Sequence, residues 1–134
     1  MIYVKRKIIQ KTKEYIMTRK REEIENKDCW DVEALYPTTQ AWKEEYDAVF
    51  SDATTTPWNI FPRYQGRLHE SSHVALEILE AYFSLQRIIE KLYTYAHLRH
   101  DEEITNDENK TNNITITTKY HDFSHRSSWL EPEF

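Results

Sequence analysis

The sequence predicts an all-α protein, built as a bundle or as hairpins of helices. Only one of its 134 residues is glycine and four are proline, so residues that interrupt helices are scarce. From Ala75 to Ala96, apolar residues recur at alternating steps of three and four, which places them on one side of a helix. A single glycine and a single cysteine exclude glycine-rich phosphate loops and multi-cysteine zinc ribbons.

The N-terminal residues are strongly basic, although the whole chain has a net charge of −5. Residues 1–21 contain eight lysines and arginines against one acidic residue, Glu14. We interpret residues 1–20 as a basic N-terminal extension with helical tendency over residues 3–25. A solvated helix is favoured over an arm for nucleic acid or an anionic membrane, since the acidic remainder would repel phosphate. We therefore expect neither nucleic acid nor a membrane as a partner.

The next elements are a short amphipathic helix and a loop. Residues 26–37 are expected to be extended, and Thr38 is a candidate N-cap. Trp42 and Tyr46 would share one helix face with Val49 and Phe50. Two prolines and the only glycine predict a long, aromatic-lined loop over residues 51–66.

A long helix is predicted over residues 71–99 as the centre of the bundle. Its apolar stripe, residues 75–96, faces away from a polar strip that includes Glu77, Glu80 and Arg87. The stripe must be covered, either by helices of the same protein or, in an alternative hypothesis, by a partner that pairs through it. Residues 101–119 are rich in Asn and Thr and predict a loop or a poorly formed helix start.

The segment HESSH, residues 69–73, matches the H-E-x-x-H pattern of zinc peptidases. In that pattern two histidines at i and i+4 of a helix bind one zinc ion and the glutamate acts as general base. His69, Glu70 and His73 would take these roles in a small autonomous zinc peptidase. If the helix begins at Ser71 or Ser72, however, His69 precedes it and the i,i+4 geometry is lost.

A third protein ligand for zinc is also missing from the sequence. Leu76 and Leu79 occupy the positions where one class of zinc peptidases has a turn glycine and a third histidine. The next glutamate well beyond the motif, Glu90, lies 17 residues after His73, roughly 25 Å along one helix. We therefore interpret the match as fortuitous and assign no catalytic residue and no metal ligand in this chain.

The remaining candidates for chemistry are isolated residues. His97, His100, His121 and His125 are interpreted as surface histidines rather than as a ligand cluster. Cys29 has no recognisable partner base and is interpreted as a small buried hydrophobe. A single cysteine also excludes an internal disulfide, which fits a reducing compartment.

Four segments, in order, resemble the start of the oligoendopeptidase F family of zinc metallopeptidases. They are WDVEALYPTTQAW (30–42), RYQGRL (63–68), KLYTYAHLRHDEE (91–103) and HDFSHRSSWLEPEF (121–134). The resemblance implies that residues 21–134 form the N-terminal helical domain of a larger channel-type metallopeptidase, truncated at the C-terminus. It implies a cytoplasmic protein that is inactive alone.

The same resemblance implies which partners and cofactors to expect. The family's enzymes cleave short peptides with zinc, and their metal ligands lie in a catalytic domain that this chain does not reach. The chain itself would need no cofactor, and its partner would be a catalytic domain in the same or a separately encoded chain. The resemblance carries over no catalytic or substrate-binding residue.

Overall fold

The computed structural model describes residues 23–25, 27 and 29–134 of the 134-residue chain. The chain divides into two units, residues 1–30 and residues 31–134, and the second contains every helix discussed below. The basic extension predicted over residues 1–20 lies outside the described residues. In the first unit, Cys29 is half-buried, and its thiol donates a hydrogen bond to the Glu25 carbonyl oxygen at 3.5 Å.

Residues 31–134 are all-α, as the sequence predicts, and no strand occurs among them. The helices are α1 (Thr39–Val49), α2 (Pro57–Ile60), α3 (Ser72–Glu102), α4 (Asp107–Arg126) and α5 (Leu130–Glu133). Two short 3-10 helices accompany them: Val32–Ala34 precedes α1, and Phe61–Tyr64 follows α2 directly. The long helices α3 and α4 pack against each other as a hairpin, and the shorter elements lie along α3.

Helix α1 begins where the sequence predicts it. The Thr38 hydroxyl accepts a hydrogen bond from the Ala41 N–H at 3.1 Å, which satisfies one of the unpaired donors of the first turn. Trp42 is buried, and its indole N–H donates to the Leu92 carbonyl oxygen at 2.9 Å. This bond ties α1 to the middle of α3.

The prediction of a loop over residues 51–66 is wrong for residues 57–64, which form α2 and the following 3-10 helix. Thr56 caps α2 by accepting from the Asn59 N–H, and Pro57 occupies the first helical turn, where its missing donor costs nothing. The Asn59 side chain donates to the carbonyl oxygens of Ser51 and Ala53. Proline here starts a helix instead of breaking one, and burial of Trp58 and Phe61 holds the turns in place.

The predicted apolar stripe is confirmed, because its residues lie on the buried side of the long helix α3. Ser71 caps it by accepting from the Val74 N–H at 3.1 Å, so the helix proper begins at Ser72. Other helices of the same chain cover the stripe. The alternative hypothesis instead assumed that a partner protein covers it. The buried members of the stripe are Ile78, Leu85, Ile89, Leu92 and Ala96.

Residues 107–119, predicted as a loop or a poorly formed helix start, belong to a continuous helix, α4. Asn106 caps it by accepting from the Asn109 N–H at 2.9 Å. The hydroxyls of Thr115 and Thr117 each donate a hydrogen bond to the carbonyl oxygen four residues earlier. These side chains therefore bond to the helical backbone and do not draw it into another conformation. Ile116 is fully buried against α3 and stabilises a helix that intrinsic propensity alone disfavours.

The buried side chains form two apolar clusters along α3. The first surrounds the C-terminal half of α3 and contains Val32, Tyr36, Trp42, Leu92, Tyr95, Ala96 and Ile116. The second surrounds its N-terminal half and contains Trp58, Phe61, Ile78, Leu85, Ile89, Phe123 and Leu130. Among the described residues, the buried members of both clusters come from residues 31–134.

Candidate functional site

The HESSH segment lies at the junction between a turn and α3. His69 is in the turn, Glu70 is in a bend, and His73 is the second residue of the helix. Because His69 lies outside the helix, the two histidines do not form the i,i+4 pair of a zinc peptidase. The structure thus confirms the helix start at the capping serine.

Glu70 is engaged by a neighbour in a way that makes it a poor general base. The Arg67 guanidinium donates to both carboxylate oxygens of Glu70, at 3.0 and 3.1 Å. The hydrogen bonds from Arg67 lower the pKa of the Glu70 carboxyl below its ordinary value. A general base at neutral pH needs the opposite shift.

Within residues 23–25, 27 and 29–134, no group of three or more His, Cys, Asp or Glu side chains is placed to hold a metal ion. His97 and His100 contact neighbouring residues of the fold. His97 lies 3.3 Å from the Asp101 carboxylate and stacks on the Tyr93 ring, with ring centroids 5.5 Å apart. His100 is half-buried, and its Nδ1 atom has no hydrogen-bond partner among the described residues.

The most perturbed titratable group is Tyr36. Burial raises the pKa of its phenol well above the usual value, and the nearby Glu45 carboxylate raises it further. Its hydroxyl is buried and has no close hydrogen-bond partner among the described residues. Lys91 lies over its ring, with Nζ 4.3 Å from the centroid, and Tyr95 packs edge-on at 5.3 Å. These contacts belong to a packed core, where a neutral phenol suits the surroundings better than a phenolate.

A groove of about 570 Å³ runs between α3, the C-terminal half of α4 and α5. The sequence does not predict this groove, because residues 101–119 predict a loop or a poorly formed helix start and so give Tyr120 and Phe123 no defined place beside α3. Leu79 and Tyr82 from α3 line the groove together with these two residues, and the Tyr82 ring stacks on the Phe123 ring with centroids 5.5 Å apart. The remaining lining residues are Gln86, Ile89, Ser124, Ser127, Ser128, Leu130, Glu131 and Phe134.

The segments that resemble a known family contact one another in the structure. Tyr36, from WDVEALYP, packs on Tyr95, from KLYTYAHL. The Gly66 N–H, from RYQGRL, donates to the Glu133 carboxylate oxygens at 2.9 and 3.0 Å, in the terminal LEPEF. Gly66 has φ +84°, a conformation that favours glycine. The segments that carry the resemblance are therefore ones that contact each other in this fold.

Known proteins similar to this chain are peptidases. Group B oligopeptidase PepB of Streptococcus agalactiae is 31% identical over 117 residues, which are 87% of this chain and 19% of PepB. The chromosomal oligoendopeptidase F of Lactococcus lactis is 27% identical over 118 residues, with the same 19% share of its length. The chain thus spans about a fifth of the length of the curated relatives it matches. No family model matches it.

A solved structure supports the same relationship. The crystal structure of a proposed peptidase from Chlamydophila abortus superimposes with a TM-score of 0.74 at 37% sequence identity. The superposition covers 87% of this chain and 19% of the other chain. Among the described residues, no helix is both long and apolar enough to cross a membrane.

Proposed function

Because the chain belongs with the oligoendopeptidase F family, to which it is related over most of its own length, we propose that it is a non-catalytic N-terminal helical region of such a peptidase. The whole enzyme would be a cytoplasmic zinc metallopeptidase that cleaves short peptides. This region would act as a helical scaffold, and a catalytic part in the same or a separately encoded chain would supply the zinc site.

The observation that carries the proposal is a match that covers nearly all of this chain but only a fifth of each relative. The described residues do not fit a zinc ion. His69 lies outside the helix that carries His73, Glu70 is engaged by Arg67, and no third ligand is near. The chain's own residues therefore build and hold the scaffold, through the two apolar clusters and the Gly66–Glu133 contact.

The interaction hypothesis has less support. It required an apolar stripe open to a partner, and Ile78, Leu85 and Ile89 of that stripe are buried within the chain. The hypothesis of an autonomous zinc peptidase also has less support, because His69, Glu70 and His73 are not placed to bind one zinc ion together.

The proposal is tested with a chimera. The chain replaces the matching fifth of full-length PepB, and cleavage of a short fluorogenic peptide is measured for the chimera and for the isolated chain. We expect the chimera to cleave the peptide and the isolated chain to be inactive with zinc present.

Two variants serve as the matched controls. His73→Ala and His97→Ala each remove one exposed histidine from α3 and should leave the chimera equally active. Cleavage by the isolated chain that is lost in His73→Ala but kept in His97→Ala would establish the autonomous peptidase instead. A folded chimera without cleavage would also contradict the proposal.

A further inference from the structure

An apolar strip of α3 remains at the surface beside the groove. Leu76 and Phe83 are 55% and 51% exposed, and they are seven residues apart, so they lie on the same side of the helix. Leu79 lies between them and lines the groove, and the Tyr82 ring contacts the Phe83 ring with centroids 5.3 Å apart. The strip and the groove form one continuous apolar surface, which we call the α3–α4 surface. It consists of Leu76, Leu79, Tyr82, Phe83 and Tyr120, with the buried side chains of Ile89, Phe123 and Leu130 forming the floor of the groove.

Two of the five polar side chains that line the groove are satisfied by the chain itself. The Ser127 hydroxyl donates to the Phe123 carbonyl oxygen at 2.7 Å, and the Ser128 hydroxyl donates to the His125 carbonyl oxygen at 2.7 Å. These hydroxyls have no need of a ligand. Apart from Gln86, Ser124 and Glu131, the groups left to contact an occupant are aromatic and aliphatic, so the occupant must present mainly apolar side chains.

The size of the relatives indicates what that occupant is. The chain spans 19% of PepB, and the same fold occupies 19% of the Chlamydophila abortus chain. In those proteins the fold is therefore accompanied by a much longer polypeptide. An apolar helix face beside a groove is the form that receives an amphipathic helix through residues spaced by three and four. Exposed apolar patches of this kind mark interaction sites.

We propose that the α3–α4 surface is where a helix from the remainder of an oligoendopeptidase F-type polypeptide packs, with its apolar side in the groove. This assignment rests on the proposed function, because it takes the occupant to be the rest of the peptidase. Burial of Leu76 and Phe83 would give the contact a hydrophobic driving force.

Cysteine labelling measures whether the groove is covered. Cys29→Ser removes the single native cysteine, and Ser124→Cys then places one thiol in the groove with almost no change in size. Ser84→Cys is the matched control, since Ser84 is also exposed, lies on α3 and does not line the groove. Both variants are labelled with a maleimide, in the isolated chain and in chimeras with PepB and with Lactococcus lactis oligoendopeptidase F. Two hosts are used so that poor folding of one chimera does not decide the result.

The expected result is a loss of labelling at Ser124→Cys in the chimeras, while Ser84→Cys is labelled in both settings. Equal labelling of Ser124→Cys in the isolated chain and in a peptide-cleaving chimera would overturn this inference and leave the proposed function standing. Chimeras that fail to fold or cleave in both hosts would instead contradict the proposed function.

Two other occupants give different results, and either would overturn the inference. Protection of Ser124→Cys that rises with the concentration of the isolated chain would show a second copy in the groove. Protection in the chimera only after a short peptide is added would show a peptide site. Parallel loss of labelling at Ser84→Cys would show general masking of α3 and would overturn the assignment to the groove.

Discussion

Helix α4 offers a direct test of why an Asn- and Thr-rich segment is helical. Ile116 is fully buried against α3, whereas Ile114, two residues earlier on the same helix, is 57% exposed. Replacing each with alanine makes the same chemical change in two environments. If packing on α3 holds the helix, Ile116→Ala must destabilise the chain much more than Ile114→Ala.

The magnitude follows from burial. Alanine at position 116 removes three buried carbon atoms, worth about 2 kcal/mol in transfer free energy, and a cavity adds to this. We expect Ile116→Ala to lower the free energy of unfolding by about 3 kcal/mol, and Ile114→Ala by less than about 1 kcal/mol. Alanine's better helix propensity contributes roughly 0.4 kcal/mol at both positions and cancels in the difference between the variants.

Urea unfolding followed by circular dichroism at 222 nm gives both values, and thermal unfolding should show Ile116→Ala melting roughly 10 °C lower. The m-value should stay unchanged, because both variants expose the same surface on unfolding. Equal losses in the two variants, or a loss below about 0.5 kcal/mol for Ile116→Ala, would refute the reasoning. Such a result would mean that α4 forms from local interactions alone.

Three further predictions concern the contacts that join the segments. Trp42→Phe removes the donor to the Leu92 carbonyl oxygen and should cost about 2 kcal/mol in urea unfolding; an unchanged midpoint would contradict this role. Tyr36→Phe removes a buried hydroxyl beside the Glu45 carboxylate and should change the free energy of unfolding at pH 7 by less than about 1 kcal/mol. Because burial raises the pKa of Tyr36, the unfolded chain loses that proton first, so wild-type stability should fall above about pH 10 more steeply than that of Tyr36→Phe; parallel pH profiles would refute this. Gly66→Ala meets no atom within 4 Å but must adopt φ +84°, so it should cost about 1 kcal/mol from backbone strain alone in thermal unfolding, and an unchanged melting temperature would refute it.

The elements that the sequence predicted are those with a strong local signal. Thr38 and Ser71 cap α1 and α3 by the side-chain hydrogen bonds that such residues ordinarily make. The apolar stripe of α3 repeats for more than six turns, so its buried side was predictable from spacing alone. The start of α3 also decided how HESSH should be interpreted.

The elements that were missed depend on contacts between distant residues. Residues 107–126 have weak helix formers at many positions, and the helix depends on burying Ile116 and Phe123 against α3. The groove could not be predicted either, because it exists only when α4 and α5 lie beside α3. One local signal was available, since Asn106 followed by Asp107 and Glu108 is typical of a helix start.

The amount of zinc bound by the purified isolated chain tests the central claim most directly. After dialysis against micromolar zinc, the account predicts well below one equivalent per chain, and no difference between wild type, His69→Ala and His73→Ala. One equivalent of zinc, lost in both histidine variants and kept in His97→Ala, would contradict the account. It would make HESSH a metal site and this chain more than a scaffold.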